Sequence, residues 1–588
     1  MKDPLSLEHK RHTLAHLLAA AVKDLYEKDG ALVRLAIGPA IDNGFYYDMD
    51  FGGNKKPTAD DLKDIEKKMR KILPSWKEFS HREVSIDEAK SWAGENRYKH
   101  ELIDEIISRG EKITFYKAGD FEDLCRGGHT TNPAADIAPD SFKLSRLAGA
   151  YWRGDEKNAM LTRIYGLAFD TADELKAYEA MLAEAEKRDH KKLGRELDLF
   201  AFSDLVGSGL PLWTPRGTLV RNLLDDYVWE LRRAAGYEKV EIPHITKKEL
   251  YETSGHWDKF KDELFRITTR EGHEFAMKPM NCPHHTQIFA RKKWSYRELP
   301  QRYANTTVCY RDEQSGELSG LSRVRAFAQD DAHVFCRSSQ VKEEFLKVWD
   351  IIHSFYSTFG FSLKLRLSLH DPARPEKYLG GAEVWKSAEA ALREIAVEKK
   401  ADYYEGVGEA AFYGPKLDFM ADDSLGRRWQ VATVQLDMNM PERFGLSCTN
   451  EKGQEERIVM IHAAIMGSIE RFMSILIEHT AGSFPLWLSP VQAVVIPVAE
   501  AHAEAAGKAH AALRAAGIRS DIDLSNDSFG KKIRNAKTSR VPYTIIIGEK
   551  DIAAGKATLE SRDHGQIGQL PIDDILKRLK AEIEERKA

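Results

Sequence analysis

The chain has 588 residues, of which 42% are hydrophobic and 10% aromatic; that is material for roughly three to five domains and excludes a mainly disordered protein. Lys and Arg number 87 against 92 Asp and Glu, a net charge of −5, which excludes a generally basic binder, although 30% charged residues leave room for local nucleic-acid surfaces. Five cysteines, widely spaced and odd in number, exclude a disulfide framework and suit a reducing compartment.

The opening MKDPLSLEHKRH has no secretory core, because Pro, His and charges interrupt it. The longest apolar runs, such as Ala493–Val498 and Thr544–Ile547, fall far short of the roughly 20 residues that span a bilayer. A cytoplasmic protein with no membrane contact is expected.

Taken in chain order, the first predicted element is a helix carrying His12 and His16. Four residues apart, they share one face, and Leu14, Leu17, Leu18, Val22 and Leu25 lie opposite. The spacing predicts that the histidines face away from the core. Later in the same block comes Asp123-Leu-Cys125-Arg-Gly-Gly-His129, whose glycines allow a loop to approach a ligand closely. Two His plus Cys and His make either a zinc site or a polar pocket in which histidines orient water. Surface histidines beside an ordinary thiol are the plain alternative.

Thr171 to Arg195 reads as a connecting helix, with Leu175, Tyr178, Met181 and Leu182 at helical spacing. Residues 302–337 read as a long hairpin, with strands at Thr306–Tyr310 and Ala326–Phe335 and a Gly/Ser-rich loop between them. Arg311 follows the first strand, and Arg323 and Arg325 enter the second. Their planar forks suit phosphates; salt bridges to Asp312, Glu313, Asp330 and Asp331 are the bland account. Residues 467–478 form an apolar-striped helix from which Arg471 emerges. No Walker loop and no dinucleotide-binding glycine fingerprint occurs. From Pro485 onward the pattern is strand, helix, strand, helix, strand, helix (Ala493–Val498, Ala501–Ala516, Arg519–Leu524, Gly530–Ser539, Tyr543–Ile547, Ile572–Glu584), which implies a parallel or mixed sheet covered by helices.

Arg311 on a strand–loop–strand and Arg471 on an apolar helix resemble motifs 2 and 3 of the class II aminoacyl-tRNA synthetases. The helix Gly217–Ala235 followed by Val240-Glu-Ile-Pro243 resembles motif 1, a dimer-interface element in that class. More specific are Met277-Lys-Pro-Met-Asn-Cys-Pro283, Gln329-Asp-Asp-Ala-His333, Ala411-Phe-Tyr-Gly-Pro-Lys416 and Ile461-His462. Together these resemble the threonyl-tRNA synthetases over essentially the whole chain.

The resemblance implies a multidomain α+β and α/β architecture. Residues 1–170 would be an α+β editing domain, 171–195 a linker helix, 196–484 a class II catalytic core on an antiparallel sheet, and 485–588 an α/β anticodon-binding domain. It implies a homodimer that joins L-threonine to tRNA(Thr) with ATP and Mg2+, using one zinc ion held by Cys282, His333 and His462. Arg311 and Arg471 would clamp the ATP phosphates, with Glu313 and Arg323 as further ATP contacts. Gln329, Asp331, Tyr413, Lys416 and Gln435 would line the amino-acid and adenylate pocket. Zinc would reject valine, which lacks a hydroxyl. Serine keeps the hydroxyl and lacks a methyl, a difference worth only roughly 10–200-fold, so a hydrolytic site for seryl-tRNA(Thr) is expected. Its residues would be His12, His16, Lys99, Asp123, Cys125 and His129.

Asn526 and Arg540 match anticodon-reading positions, and Lys531, Lys532, Arg534 and Lys537 would meet tRNA phosphates. Several positions depart from the family pattern. Its small N-terminal domain has no counterpart before His12. His284-His285 follow Pro283 where Gly-His is common, and Ser319 stands where His is frequent. Asp551 replaces a typical Glu, and Glu560 replaces a typical Arg.

Overall fold

Residues Thr13–Val22 of the first helix are all buried, so α1 (Pro4–Tyr26) is enclosed on every side, as a helix in the middle of a domain must be. The computed structural model describes residues 4–27, 32–53 and 55–586; Met1–Asp3, which begin the N-terminal stretch read above, lie outside the described residues. Two units separate, Met1–Ala183 and Glu184–Ala588.

In the first unit, α1 packs on an antiparallel sheet of β1 (Arg34–Leu35), β2 (Ala40–Ile41), β3 (Gly44–Asp50), and two later strands. Between them in sequence come α2 (Leu62–Ile72), β4 (Ser80–Val84), α3 (Arg97–Ser108), β5 (Ile113–Ala118) and β6 (Phe121–Leu124). The strands β4, β5 and β6 make a second antiparallel sheet. The long hairpin of β7 (Phe142–Tyr151) and β8 (Met160–Ala168) completes the first one in the order β1-β3-β8-β7. Enclosure of α1 corrects the expected facing of its histidines: His16 is 3% exposed.

The connecting helix is two helices, α4 (Ala172–Arg188) and α5 (His190–Glu196). Asp189 divides them because its backbone is extended and its carboxylate accepts the Lys191 N–H at 2.7 Å, an N-cap that starts a new helix.

The second unit is built on an eight-stranded sheet. After α6 (Pro215–Ala234), β9 (Glu238–Lys239) and α7 (Cys282–Ala290) come β10 (Gln301–Tyr310) and β11 (Ala326–Cys336), the predicted hairpin with a longer first strand. Then follow α8 (Val341–Ser357), β12 (Leu363–Leu369), β13 (Tyr403–Val407), β14 (Lys416–Asp422), β15 (Arg428–Asp437) and β16 (Val459–Ser468). The spatial order is β9-β10-β11-β16-β15-β14-β12-β13. All pairings are antiparallel except β9 with β10 and β12 with β13. Side-chain alternation sends Ala328, Ala332, Val334, Ile461, Ala463 and Val434 into a core against Phe345, Ile352 and Phe355 of α8. The alternate residues face the other way. A slip of one residue would exchange the two faces.

The last strand leads into α9 (Ile469–His479), whose N-cap Ser468 accepts the Arg471 N–H at 3.2 Å. The C-terminal block contains β17 (Ala493–Pro497), α10 (Ala503–Ala515), β18 (Ser520–Ile522), α11 (Phe529–Thr538), β19 (Tyr543–Ile547), β20 (Ala557–Ser561), β21 (Gly565–Leu570) and α12 (Ile572–Glu585). Its sheet is mixed, as expected: β17 pairs parallel with β18 and β19, and the unforeseen β20 and β21 add antiparallel at one edge. The polar sequence of β21, with two glycines in six residues, concealed it.

On the core face of β11, Asp330 is fully buried and meets Arg232 of α6 at 3.3 Å. It also accepts the N–H groups of Ile465 and Met466 at 2.8 and 3.1 Å. Burial lifts its carboxyl to about 7 even with that guanidinium beside it. Replacing the arginine strands the charge. Arg232→Met should therefore cost about 3 kcal/mol at pH 8 and less at pH 5. A carboxyl whose folded pKa exceeds its unfolded value destabilises above the latter, and the penalty fades as it protonates. Chemical denaturation of the variant and parent at both pH values checks this.

Candidate active site

The pocket side of the large sheet carries one cross-strand row. Tyr303 of β10 pairs with His333 of β11, His333 with His462 of β16, His462 with Gln435 of β15, and Gln435 with Lys416 of β14. Register thus aligns four of the predicted site residues, although His333 and His462 are 129 apart in sequence. Cys282, at the start of α7, comes down on this row. Its Sγ and the two histidine nitrogens all lie within 4.8 Å of one another, and all three residues are buried.

Hydrogen bonds fix the proton positions. His462 Nε2 lies 3.0 Å from Asp437 Oδ2. The carboxylate accepts, so Nε2 carries the proton and Nδ1 faces the centre bare. His333 Nε2 is 3.0 Å from that bare nitrogen, and its Nδ1 is 2.7 Å from His285 Nδ1. Burial pushes the Cys282 thiol up and the His333 imidazole down, as it does for any charge without a counter-charge. A buried thiol facing two ring nitrogens, with the outer N–H of His462 held by Asp437 and the outer nitrogen of His333 met by His285, is a donor set suited to zinc. Three protein ligands leave a position open.

Around that centre the Tyr413 ring stacks on His462 at 4.9 Å, and its hydroxyl donates to Gln435 Oε1 at 2.6 Å. Asp331 is buried and accepts from Asn281 Nδ2 at 3.1 Å. Asn281 Oδ1 in turn receives the Lys278 ammonium at 2.9 Å. Lys416 pairs with Asp418 at 3.1 Å. Gln329, half-buried, pairs with Ser468 just before α9.

The three hairpin arginines have different fates. Arg323 bonds Glu313 at 2.8 Å and Glu317 at 3.1 Å, so the two predicted ATP contacts hold each other here. Arg325 lies 3.7 Å from Asp312. Arg311 has no carboxylate partner among the described residues. Its guanidinium sits between the rings of Phe260 and Phe327, at 5.5 and 5.2 Å, and its Nε is buried without a hydrogen bond. Arg471 likewise has no acidic partner; it rests 5.6 Å above the Trp429 ring. Crowding by protein and the charge of Arg323 lower its pKa. Both cations thus rest on aromatic rings without an acidic partner among the described residues.

In the first unit, His12, His16, Cys125 and His129 come together with their ligand atoms within 4.8 Å. Gly127 and Gly128 both have positive φ, and a side chain at Gly127 would lie 2.5 Å from the Tyr116 hydroxyl. The loop can therefore bring Cys125 Sγ to 3.5 Å from His12 Nε2 and 3.2 Å from His129 Nε2. Burial lowers all three imidazole pKa values and lifts the thiol to about 11. The four are neutral at pH 7, each histidine keeping a bare nitrogen. Such a set could hold a metal ion or order water. Beside it lies a cleft of about 420 Å3 lined by His12, His16, Tyr47, Lys99, Asp123 and Cys125. Lys99 Nζ meets Asp123 Oδ1 at 2.6 Å, and the Tyr47 hydroxyl donates to Asp123 Oδ2.

In the C-terminal block, Asn526 is exposed. Arg540 donates to the Ala481 carbonyl, which turns it toward the catalytic sheet's side of the unit. Lys532 is buried and donates to the Asp523 carbonyl at 3.1 Å, so it is not part of the surface helix face; Lys531, Arg534 and Lys537 are exposed. Glu560 is met by Lys537 at 3.2 Å. Asp551 is buried in bonds to Gly548 N–H, Thr558 and Gln569.

Several residues of these sites escaped the sequence. Tyr47, Asp437 and Asn281 act through hydrogen bonds to predicted residues. His256, whose Nε2 is 4.0 Å from Cys282 Sγ, is buried among Phe260, Phe412 and Tyr413. Two carried a local signal: Asn281, inside the Met277–Pro283 motif, and His285, part of the His-His pair after Pro283.

Comparison with known proteins agrees with this anatomy. Residues 265–480 match the family model described as the tRNA synthetase class II core domain (G, H, P, S and T), and residues 492–582 match an anticodon binding domain. A threonine–tRNA ligase of Cytophaga hutchinsonii is 46% identical over 98% of this chain and 89% of its own length. One from Thermus thermophilus is 46% identical over 100% of this chain and 90% of its own. Among solved structures, the RNA binding domain of threonyl-tRNA synthetase from Cryptosporidium parvum superposes with a TM-score of 0.64 at 38% identity, covering 67% of this chain and 98% of that one.

The donor set makes a direct prediction. Zinc added to metal-stripped protein should bind stoichiometrically, and Cys282→Ser should abolish it. Asp437→Asn, which removes only the acceptor behind His462, should weaken zinc about 10–100-fold. Metal analysis with a competing chelator reads both; undiminished zinc in both variants would contradict the assignment.

Proposed function

This chain belongs to the threonine–tRNA ligase family, and we propose that it activates L-threonine at the Cys282–His333–His462 centre and removes misattached serine in its N-terminal unit. Ligation of threonine to tRNA with ATP and Mg2+ is the family's activity, which the near full-length identity assigns to this chain. The observation that carries the residue roles is the cross-sheet row. It aligns His333 and His462 beneath Cys282 as one buried donor set.

Zinc held by Cys282, His333 and His462 would supply a Lewis-acidic position for amine and hydroxyl groups. Asp331, held by Asn281, offers a carboxylate to the amine. Tyr413 and Gln435 close the pocket's wall. The threonine carboxylate attacks the α-phosphorus of ATP, a P–O bond forms, and pyrophosphate leaves with its electrons. Arg311 and Arg471 stabilise the charge that accumulates on the phosphoryl oxygens. The terminal ribose hydroxyl of tRNA then displaces AMP. A hydroxyl-reading site rejects valine by about 10⁴–10⁵, but a missing methyl leaves serine as a competitor.

The N-terminal pocket answers that need. The unpartnered Nδ1 of His16, with a neighbouring imidazole, offers acceptors to a water, and Lys99 places a buried positive charge beside Asp123 and Tyr47. These are the parts required to orient water on an ester carbonyl. For tRNA, α11 offers Lys531, Arg534 and Lys537 at the surface. The helix α6 and Pro243 supply the homodimer face implied by motif 1. No described helix is long and apolar enough to cross a membrane, and all five cysteines are free, in keeping with work in the cytoplasm.

Hydrolysis of seryl-tRNA(Thr) tests the editing reading. The protein should deacylate it, and His129→Ala should slow that by about 10² or more without changing threonine-dependent pyrophosphate exchange. Unaltered deacylation in both His129→Ala and Lys99→Met would contradict it.

A further inference from the structure

The two arginine-bearing pieces of the phosphate receptor are joined by one imidazole that no motif includes. His190 opens α5 and is 4% exposed. Its Nδ1 lies 2.6 Å from Glu478 Oε1, and its backbone N–H donates to the same oxygen at 3.1 Å. Its Nε2 receives the backbone N–H of Leu321 at 3.0 Å. A backbone N–H only donates, so Nε2 is bare and Nδ1 carries the proton to Glu478. Both ring nitrogens are used. The trio Asp189, His190 and Glu478 therefore has no imidazole lone pair left for a cation, although its ligand atoms lie within 4.8 Å.

Each partner belongs to the phosphate machinery. Leu321 is fully buried in the loop between Arg311 and Arg323. Glu478 lies two turns beyond Arg471 on α9, and its other oxygen is held by Arg427, which Asp423 anchors. The loop approaches the ring so closely that a Cβ at Gly320 would lie 2.2 Å from His190 Nε2, and Gly320 has a φ of +51°. Glycine at that position is what the contact requires.

We propose that His190 is a positioning residue for ATP: through Leu321 and Glu478 it fixes the Arg311–Arg323 loop against the helix that carries Arg471. The inference rests on the ligase reading above and deepens it. Neither partner of His190 touches the zinc and threonine row, so ATP binding is affected and threonine binding is not.

Amide variants separate the two bonds, because Asn reaches the Nδ1 position and Gln the Nε2 position. His190→Asn leaves the buried Leu321 N–H without an acceptor, and should raise the ATP KM in pyrophosphate exchange about 5–30-fold, with the threonine KM unchanged. His190→Gln restores an acceptor to Leu321 and should recover part of that loss. Gly320→Ala, which pushes the loop off the ring without altering it, should raise the ATP KM alone and add less than its full effect to His190→Asn. It also serves as the test if His190→Asn does not fold. An unchanged ATP KM in His190→Asn and Gly320→Ala, or ATP and threonine KM rising together, would overturn the inference. Absence of exchange in the parent protein would instead overturn the ligase reading beneath it.

Discussion

The pairing of β11 with β16 in one antiparallel register is the constraint on which the catalytic unit depends. It sets His333 opposite His462, and the neighbouring pairings extend the row to Gln435 and Lys416. Because strand side chains alternate, the same register sends Ala332, Val334, Ile461 and Ala463 into the core. Core and site are two faces of a single decision. The hydrophobic face, with Asp330 bound to Arg232 and to two backbone N–H groups behind it, makes the other register prohibitively expensive. The polar face is thereby delivered in place.

What that face holds is a set of groups left incomplete by the protein alone. Arg311 and Arg471 have aromatic supports and no acidic partner among the described residues. Cys282 and the two histidines have their outer hydrogen bonds arranged and their inner atoms facing one another. Other cations are paired: Arg323 with Glu313, Lys416 with Asp418, Lys537 with Glu560. His190 bonds both Leu321, in the loop between Arg311 and Arg323, and Glu478, on the helix that carries Arg471; in our proposal this is why its loss is read in ATP binding.

Much of this was legible in the sequence, and the reasons for the gaps are physical. The hairpin, the Arg471 helix and the alternating C-terminal block follow from periodicity and turn residues. The N-terminal His/Cys cluster was visible as two i,i+4 pairs. The burial of His16 was not, because Phe79, Phe121 and His129 pack on it only in the folded chain. The metal-competent trio came through family motifs, since residues 51 and 129 apart carry no local signal. Tyr47, Asp437, His256 and His190 were missed for a shared reason, that each acts through a contact made only by the folded chain. The basic helix was overread at Lys532, whose stem packs inward, and Arg540 is turned to a backbone carbonyl.

In the proposed mechanism the buried Cys282–His333–His462 centre selects an amino acid by its hydroxyl while Arg311 and Arg471 drive its activation. The most direct measurement is pyrophosphate exchange on zinc-loaded protein with threonine, serine and valine in turn. Strong exchange with threonine, weaker with serine and none with valine is the expected result. Equal exchange with threonine and valine would contradict the claim.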